Sequence, residues 1–189
     1  STAGLRSKFS ANFSAATAAG RLFGAAAAEG ASVLVLTDRS FYAVGSLVLD
    51  LDLEPPLDER AVRSFEARFL LALIPRADDQ PPCVGCDLAE AEARRLGDGV
   101  SFSFGDISLG LVSECGVGQG LRVLFRTFTH NRLEVFLAGQ LLSNTSLTAP
   151  RSATAAVVIL VTNSQLTVSL ESQTLLALLP LHPWQPESH

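Results

Sequence analysis

Residues 155–170 read Ala-Ala-Val-Val-Ile-Leu-Val-Thr-Asn-Ser-Gln-Leu-Thr-Val-Ser-Leu. Ala155 to Val161 is a short apolar run rich in β-branched residues, and Gln165 to Leu170 alternates polar and apolar positions. Thr162-Asn163-Ser164 supplies turn chemistry between them. That pattern is the signature of strand, turn, strand. The same pattern repeats in both directions along the chain. Toward the C-terminus, Leu175 to Leu178 reads as a further strand. Toward the N-terminus come Leu133 to Leu137, Leu121 to Phe128 and Val100 to Phe104, with turns at Ala138-Gly139, His130-Asn131 and Gly116-Val-Gly-Gln-Gly120. In the second of these, Arg122, Leu124 and Arg126 share one face, opposite Val123 and Phe125.

Earlier still, Phe65 to Ile74 places Phe65, Ala67, Phe69, Leu71 and Leu73 on one face, with Glu66 and Arg68 on the other. Ser32 to Thr37 and a stretch within Phe41 to Leu53, ended by Pro55-Pro56, read as two more strands. The chain before Gly30 is rich in Ala, Ser and Gly and shows little periodicity. Residues 75–97 break the pattern with Pro81-Pro82, two cysteines and one short helix from Asp87 to Leu96. Asp87 can cap that helix, its acids come early, and Arg94-Arg95 come late, as the macrodipole prefers. Short strands at regular spacing with one helical insertion predict an all-β fold, a two-sheet antiparallel sandwich or jelly roll.

Composition narrows the function classes. The 189 residues are 48% hydrophobic and 17% charged, too apolar for disorder, and mean hydropathy is +0.31. No apolar run approaches a bilayer-spanning length, so no membrane insertion by this segment is expected. Net charge is −5, with no basic stripe, which argues against nucleic acid as a partner. The chain starts at Ser1 and contains no Met. It therefore reads as a processed protein or an excised piece of a longer one, with no visible signal peptide. Three cysteines, Cys83, Cys86 and Cys115, suggest one disulfide plus a free thiol or a bond to another chain; Cys83 or Cys86 joined to Cys115 is the favoured pairing. Cys83-Val-Gly-Cys86 also has zinc spacing, but a zinc site would need Cys115 and one of His130, His182 or His189 to complete it. Asn12-Phe13-Ser14 and Asn144-Thr145-Ser146 are acceptor sequons for N-glycosylation. Together these features place the chain outside the cell or at its surface.

The order of pieces carries a resemblance. Gly97-Asp98-Gly99 precedes a Ser-Phe-Ser-Phe strand, and Gly118-Gln-Gly120-Leu121 precedes a strand ending Phe-Arg-Thr-Phe128. This succession, over roughly Leu22 to Trp184, resembles the concanavalin A-like sandwich of L-type lectins and laminin G-like domains. The resemblance implies a domain over residues 22–189, with an insertion at 75–97 and an N-terminal segment, 1–21, outside it. It implies further strands beyond residues 175–186, so that the sandwich is closed by another chain or departs from the family there. It matches Asp98 to the lectin aspartate that accepts sugar hydroxyls, and Asn131 to a lectin asparagine, one residue further along.

The family's metal strand reads Glu-Phe-Asp-Thr-Phe. Here the strand is Leu124-Phe125-Arg126-Thr127-Phe128, with both acids replaced. Calcium needs six to eight oxygens, so the lectin calcium–manganese pair is expected to be absent, with no metal and no cofactor. Arg126 is positioned to stand in for the lost cation by pairing with Asp98 or another acid. The candidate ligand-binding residues are thus Asp98, Arg126 and Asn131. The expected function is non-enzymatic binding or assembly within a larger structural protein, through other protein subunits of an extracellular assembly or through glycans.

The rival is a glycoside hydrolase of the same fold using Asp50, Asp52 and Glu54. Those acids alternate on one strand face at the separation that retaining enzymes use. A row of carboxylates on an edge strand is the more ordinary reading of that stretch. No Ser–His–acid arrangement is evident, and the Gly116–Gly120 turn opens no helix that could cradle phosphate.

Overall fold

A computed structural model of the chain describes residues 20–29, 33–36, 45–49, 64–72, 99–105, 120–126, 131–147 and 154–182. Every regular element among these is a β-strand. They are β1 (Gly20–Gly24), β2 (Ala27–Glu29), β3 (Val33–Val35), β4 (Gly45–Leu49), β5 (Phe65–Ala72), β6 (Gly99–Phe104), β7 (Leu121–Arg126), β8 (Arg132–Leu137), β9 (Gln140–Ser146), β10 (Thr154–Thr162), β11 (Gln165–Leu170) and β12 (Gln173–Pro180).

Two four-stranded antiparallel sheets form the body, in the orders β12-β11-β10-β5 and β6-β7-β8-β9. Two small antiparallel pairs, β1 with β4 and β2 with β3, stand apart from them in strand order. The described part of the protein is therefore all-β, with two antiparallel sheets packed as in a sandwich. The helix expected between Asp87 and Leu96 lies outside the described residues.

The two large sheets close over a single core because their strands alternate. In β10, Ala155, Val157, Ile159 and Val161 are buried; in β11, Leu166, Val168 and Leu170 are buried. They share one cluster with Leu121, Val123 and Phe125 of β7 and Leu133, Val135 and Leu137 of β8. A period of two puts each of these side chains on one face of its sheet, and burying both faces together removes them from water. Aromatic contacts join the sheets where β5 lies over β6. The rings of Phe65 and Phe104 are 4.2 Å apart, Phe65 and Phe102 6.2 Å, and Phe69 and Phe102 6.3 Å. Leu181, fully buried just after β12, closes one end, and its amide donates to the Ser164 carbonyl at 2.8 Å.

Three of the connections are two-residue hairpins: Ala138-Gly139, Asn163-Ser164 and Glu171-Ser172. All six residues have positive φ, the type I′ geometry whose twist matches that of the flanking strands. Only Gly139 adopts it without steric cost. Ser164 sits at φ 58° and accepts the Leu181 amide, just after β12, through its backbone carbonyl. Ser164→Gly should therefore keep that hydrogen bond while relieving a left-handed strain of about 1–2 kcal/mol. Glycine's greater freedom in the unfolded chain offsets part of the gain. A rise in the thermal midpoint is expected; a fall would show that the Ser164 side chain contributes more than its backbone.

Several strands differ from expectation. β1 and β2 form where the Ala- and Gly-rich N-terminal stretch showed no period, and β1 begins at Gly20, inside the segment expected to be irregular. β9, Gln140–Ser146, is a strand where the sequence pattern assigns none. β12 is longer than expected, running from Gln173 to Pro180. Leu36, expected within the third strand, lies just after β3; Ser32, Thr37, Thr127 and Phe128 of the expected strands lie outside the described residues.

Candidate functional site

The outward face of β6–β9 can be laid out directly from the strand register. One row runs Ser103, Arg122, Phe136, Leu141; the next Ser101, Leu124, Glu134, Asn144; the third Gly99, Arg126, Arg132, Ser146. β7 supplies its centre, because Leu121, Val123 and Phe125 are committed to the core and the residues between them must point the other way. The result is a surface of three guanidinium groups, one carboxylate, hydroxyls and an amide around two leucines and a phenylalanine.

Arg126 Nε donates to Glu134 Oε2 at 2.7 Å. Glu134 lies directly opposite Leu124, so the pair is a diagonal cross-strand contact, within reach of long side chains. The acid is well enclosed, with 13% of its side chain exposed, whereas 41% of Arg126 is open to solvent. The ion pair thus presents its guanidinium outward from a carboxylate held in the sheet. The Arg122 guanidinium carbon lies 4.9 Å from the centre of the Phe136 ring, its direct cross-strand partner, in a cation–π contact. Leu124 points away from the sandwich core yet is only 3% exposed. Arg122 and Arg126 flank it along β7, and the Arg122 Nε is itself buried. Long aliphatic stems with charged tips suit that cover.

Of the candidate ligand-binding residues, Arg126 ends β7 on this face, with Gly99 and Arg132 as its lateral neighbours. Asp98 lies outside the described residues, immediately before Gly99. Asn131 precedes β8 and accepts the Leu147 amide at 2.8 Å through its backbone carbonyl, tying β8 to the end of β9. Asn144 is exposed in the middle of β9, beside Glu134. Cys83, Cys86, Cys115, Asn12, Asp50, Asp52 and Glu54 lie outside the described residues; β4 ends at Leu49, one residue before the first of those acids. Among the described residues, no three His, Cys, Asp or Glu side chains gather as a metal site.

Glu134 was not anticipated from sequence. Its signal lay in Arg132-Leu-Glu134-Val-Phe136, whose alternation puts an acid on the same face as Arg126 once the register of β7 against β8 is known.

The other sheet carries a different charge pair. Arg68 on β5 bonds Glu66 through two nitrogens, Nη2 reaching Oε2 at 3.1 Å. That hydrogen bond holds the Glu66 carboxyl below the usual carboxylate range and raises the Arg68 guanidinium. Both residues lie two apart on one strand, with 69% of the Arg68 side chain exposed, so water and salt screen the pair.

No protein-family model and no curated protein matches this chain.

Proposed function

We propose that this chain is a non-enzymatic binding domain of the concanavalin A-like kind. It serves outside the cell or at its surface as part of a larger structural assembly. It grips glycans or partner proteins through the outward face of β6–β9. One observation carries the reading: Arg126, Glu134, Arg132 and Asn144 are held side by side on a rigid sheet around the shielded Leu124. Planar donors and a fixed acceptor spaced by strand geometry can meet hydroxyl and carboxylate groups of a ligand directionally, and charge-assisted hydrogen bonds are the stronger kind. The family's metal acids are replaced in β7 by Leu124 and Arg126. The Arg126–Glu134 ion pair then gives the face its order without a divalent ion.

The test uses unglycosylated, bacterially expressed protein on a panel of immobilised neutral and acidic oligosaccharides and extracellular-matrix proteins, with EDTA present throughout. Binding is expected to persist in EDTA. Arg126→Ala should weaken it at least about tenfold, roughly 1.4 kcal/mol. Arg126→Lys should fail to restore it, because an ammonium lacks the guanidinium fork. Circular dichroism controls for folding. Sugar binding that requires calcium and vanishes with EDTA would refute the proposal, as would ligand affinity indifferent to Arg126.

A further inference from the structure

We propose that Asn144 carries an N-linked glycan that stands over the arginine-bearing face and limits access to it. The inference rests on the extracellular reading above for the encounter with glycosylation machinery, and otherwise on the geometry of β9. Asn144-Thr145-Ser146 satisfies the acceptor pattern, with no proline in the middle position. Within β9 the three residues divide cleanly. Thr145 lies opposite Leu133 of the core and contacts Ser143 Oγ at 3.4 Å, while Asn144 and Ser146 are exposed on the outward face.

Among the described strands β9 is also the last in the order of its sheet, so the amide stands near an edge of it. Its lateral neighbour is Glu134, the carboxylate that holds Arg126, and Ser146 lies opposite Arg132. A bulky, hydrated substituent on Asn144 therefore rises beside both guanidinium groups. In the modification, the carboxamide nitrogen bonds to the anomeric carbon of an oligosaccharide delivered as a polyprenyl diphosphate. The diphosphate leaves with the bonding electron pair, and the nitrogen gives up one of its two protons.

The full chain, expressed behind a secretion leader in eukaryotic cells, provides the test. Peptide mass analysis should find Asn144 glycosylated, and enzymatic deglycosylation in heavy-oxygen water should leave a labelled aspartate there. Asn144→Gln and Ser146→Ala should each remove that glycan, the second without touching the acceptor itself. A secreted, folded protein whose Asn144 is recovered only unmodified overturns the proposal. Access is then read by the rate at which phenylglyoxal modifies individual arginines. The glycosylated protein should react severalfold more slowly at Arg126 and Arg132 than the Ser146→Ala variant, while Arg68 on the opposite sheet reacts equally in both. Equal rates at Arg126 and Arg132 would overturn the shielding. Because the binding assay uses protein without glycan, either proposal can fail while the other stands.

Discussion

Gly99→Ala is expected to destabilise the protein by about 3 kcal/mol or more, among the larger effects a single methyl group can have. Gly99 opens β6 with φ +125°, a conformation that L side chains rarely adopt, and an added Cβ would stand 2.0 Å from the Phe125 carbonyl oxygen. That oxygen belongs to the backbone of β7, so no side-chain rotation can make room. The strand pair must separate where Gly99 faces Arg126. The other end of the pair has the same construction: a Cβ on Gly120 would meet the Phe104 carbonyl oxygen at 2.0 Å. Urea unfolding monitored by circular dichroism should show the midpoint of Gly99→Ala falling by about 1 M or more, for an m-value of about 1–3 kcal/mol/M. An unchanged midpoint would mean that β6 does not approach β7 this closely. Because Arg126 is the residue facing Gly99, the variant should also lose ligand affinity under conditions where it remains folded.

Ile159→Ala carries the second large effect, about 2–5 kcal/mol. Ile159 is fully buried at the middle of β10, between Ala67 of β5 and Val168 of β11, and faces the opposing sheet. Its small neighbour Ala67 carries only a fixed methyl group, which cannot move into the space, and this places the cost toward the upper part of that range. Ile159→Val should lose only about 0.5–1.5 kcal/mol. Val158→Ala, one residue away on the outward face, should lose less than Ile159→Ala. If Val158→Ala proved the more costly, the assignment of faces along β10 would be reversed.

The central strands were legible because their residues satisfy a local rule. β11 alternates strictly, β10 is a β-branched run, and the Thr-Asn-Ser turn between them separates the two signals. β9 was hidden by the opposite circumstance. Its inward positions include Ser143 and Thr145, and a register shift beside Leu142 sends that leucine to the core while leaving Leu141 half-exposed. No period of two in hydrophobicity survives such an arrangement. The Glu171-Ser172 turn lacks the glycine or asparagine that marks a type I′ hairpin, so it was invisible until the backbone was seen. β2 is written mostly in Ala, which carries little face preference, and β1 has only Arg-Leu-Phe between two glycines, too short a run to show a period. At the candidate site, Arg126 stood out as a cation where the lectin strand it resembles has an acid. Its carboxylate partner could not be named, because Glu134 reaches it across a diagonal that depends on strand register. The two glycines at 99 and 120 were recognised as parts of motifs; their necessity lies in carbonyl oxygens contributed by the facing strand.

The geometry of β12 bears on how the protein behaves when crowded. Ala177 and Leu178 together oppose the single Thr167, and Leu175 intrudes between Thr174 and Leu176 as a second irregularity. Leu178 holds φ 53° and turns outward, 62% exposed. This segment, Gln-Thr-Leu-Leu-Ala-Leu-Leu, is otherwise the kind of apolar, uncharged sequence that stacks into fibrils. A neighbouring molecule seeking to extend the sheet would find amides and carbonyls out of step at two points within eight residues. Cross-β growth requires an unbroken ladder, which bulges at a sheet edge disfavour. Among the described strands, β12 ends its sheet, and its irregular backbone is expected to disfavour edge-to-edge pairing along this leucine-rich border.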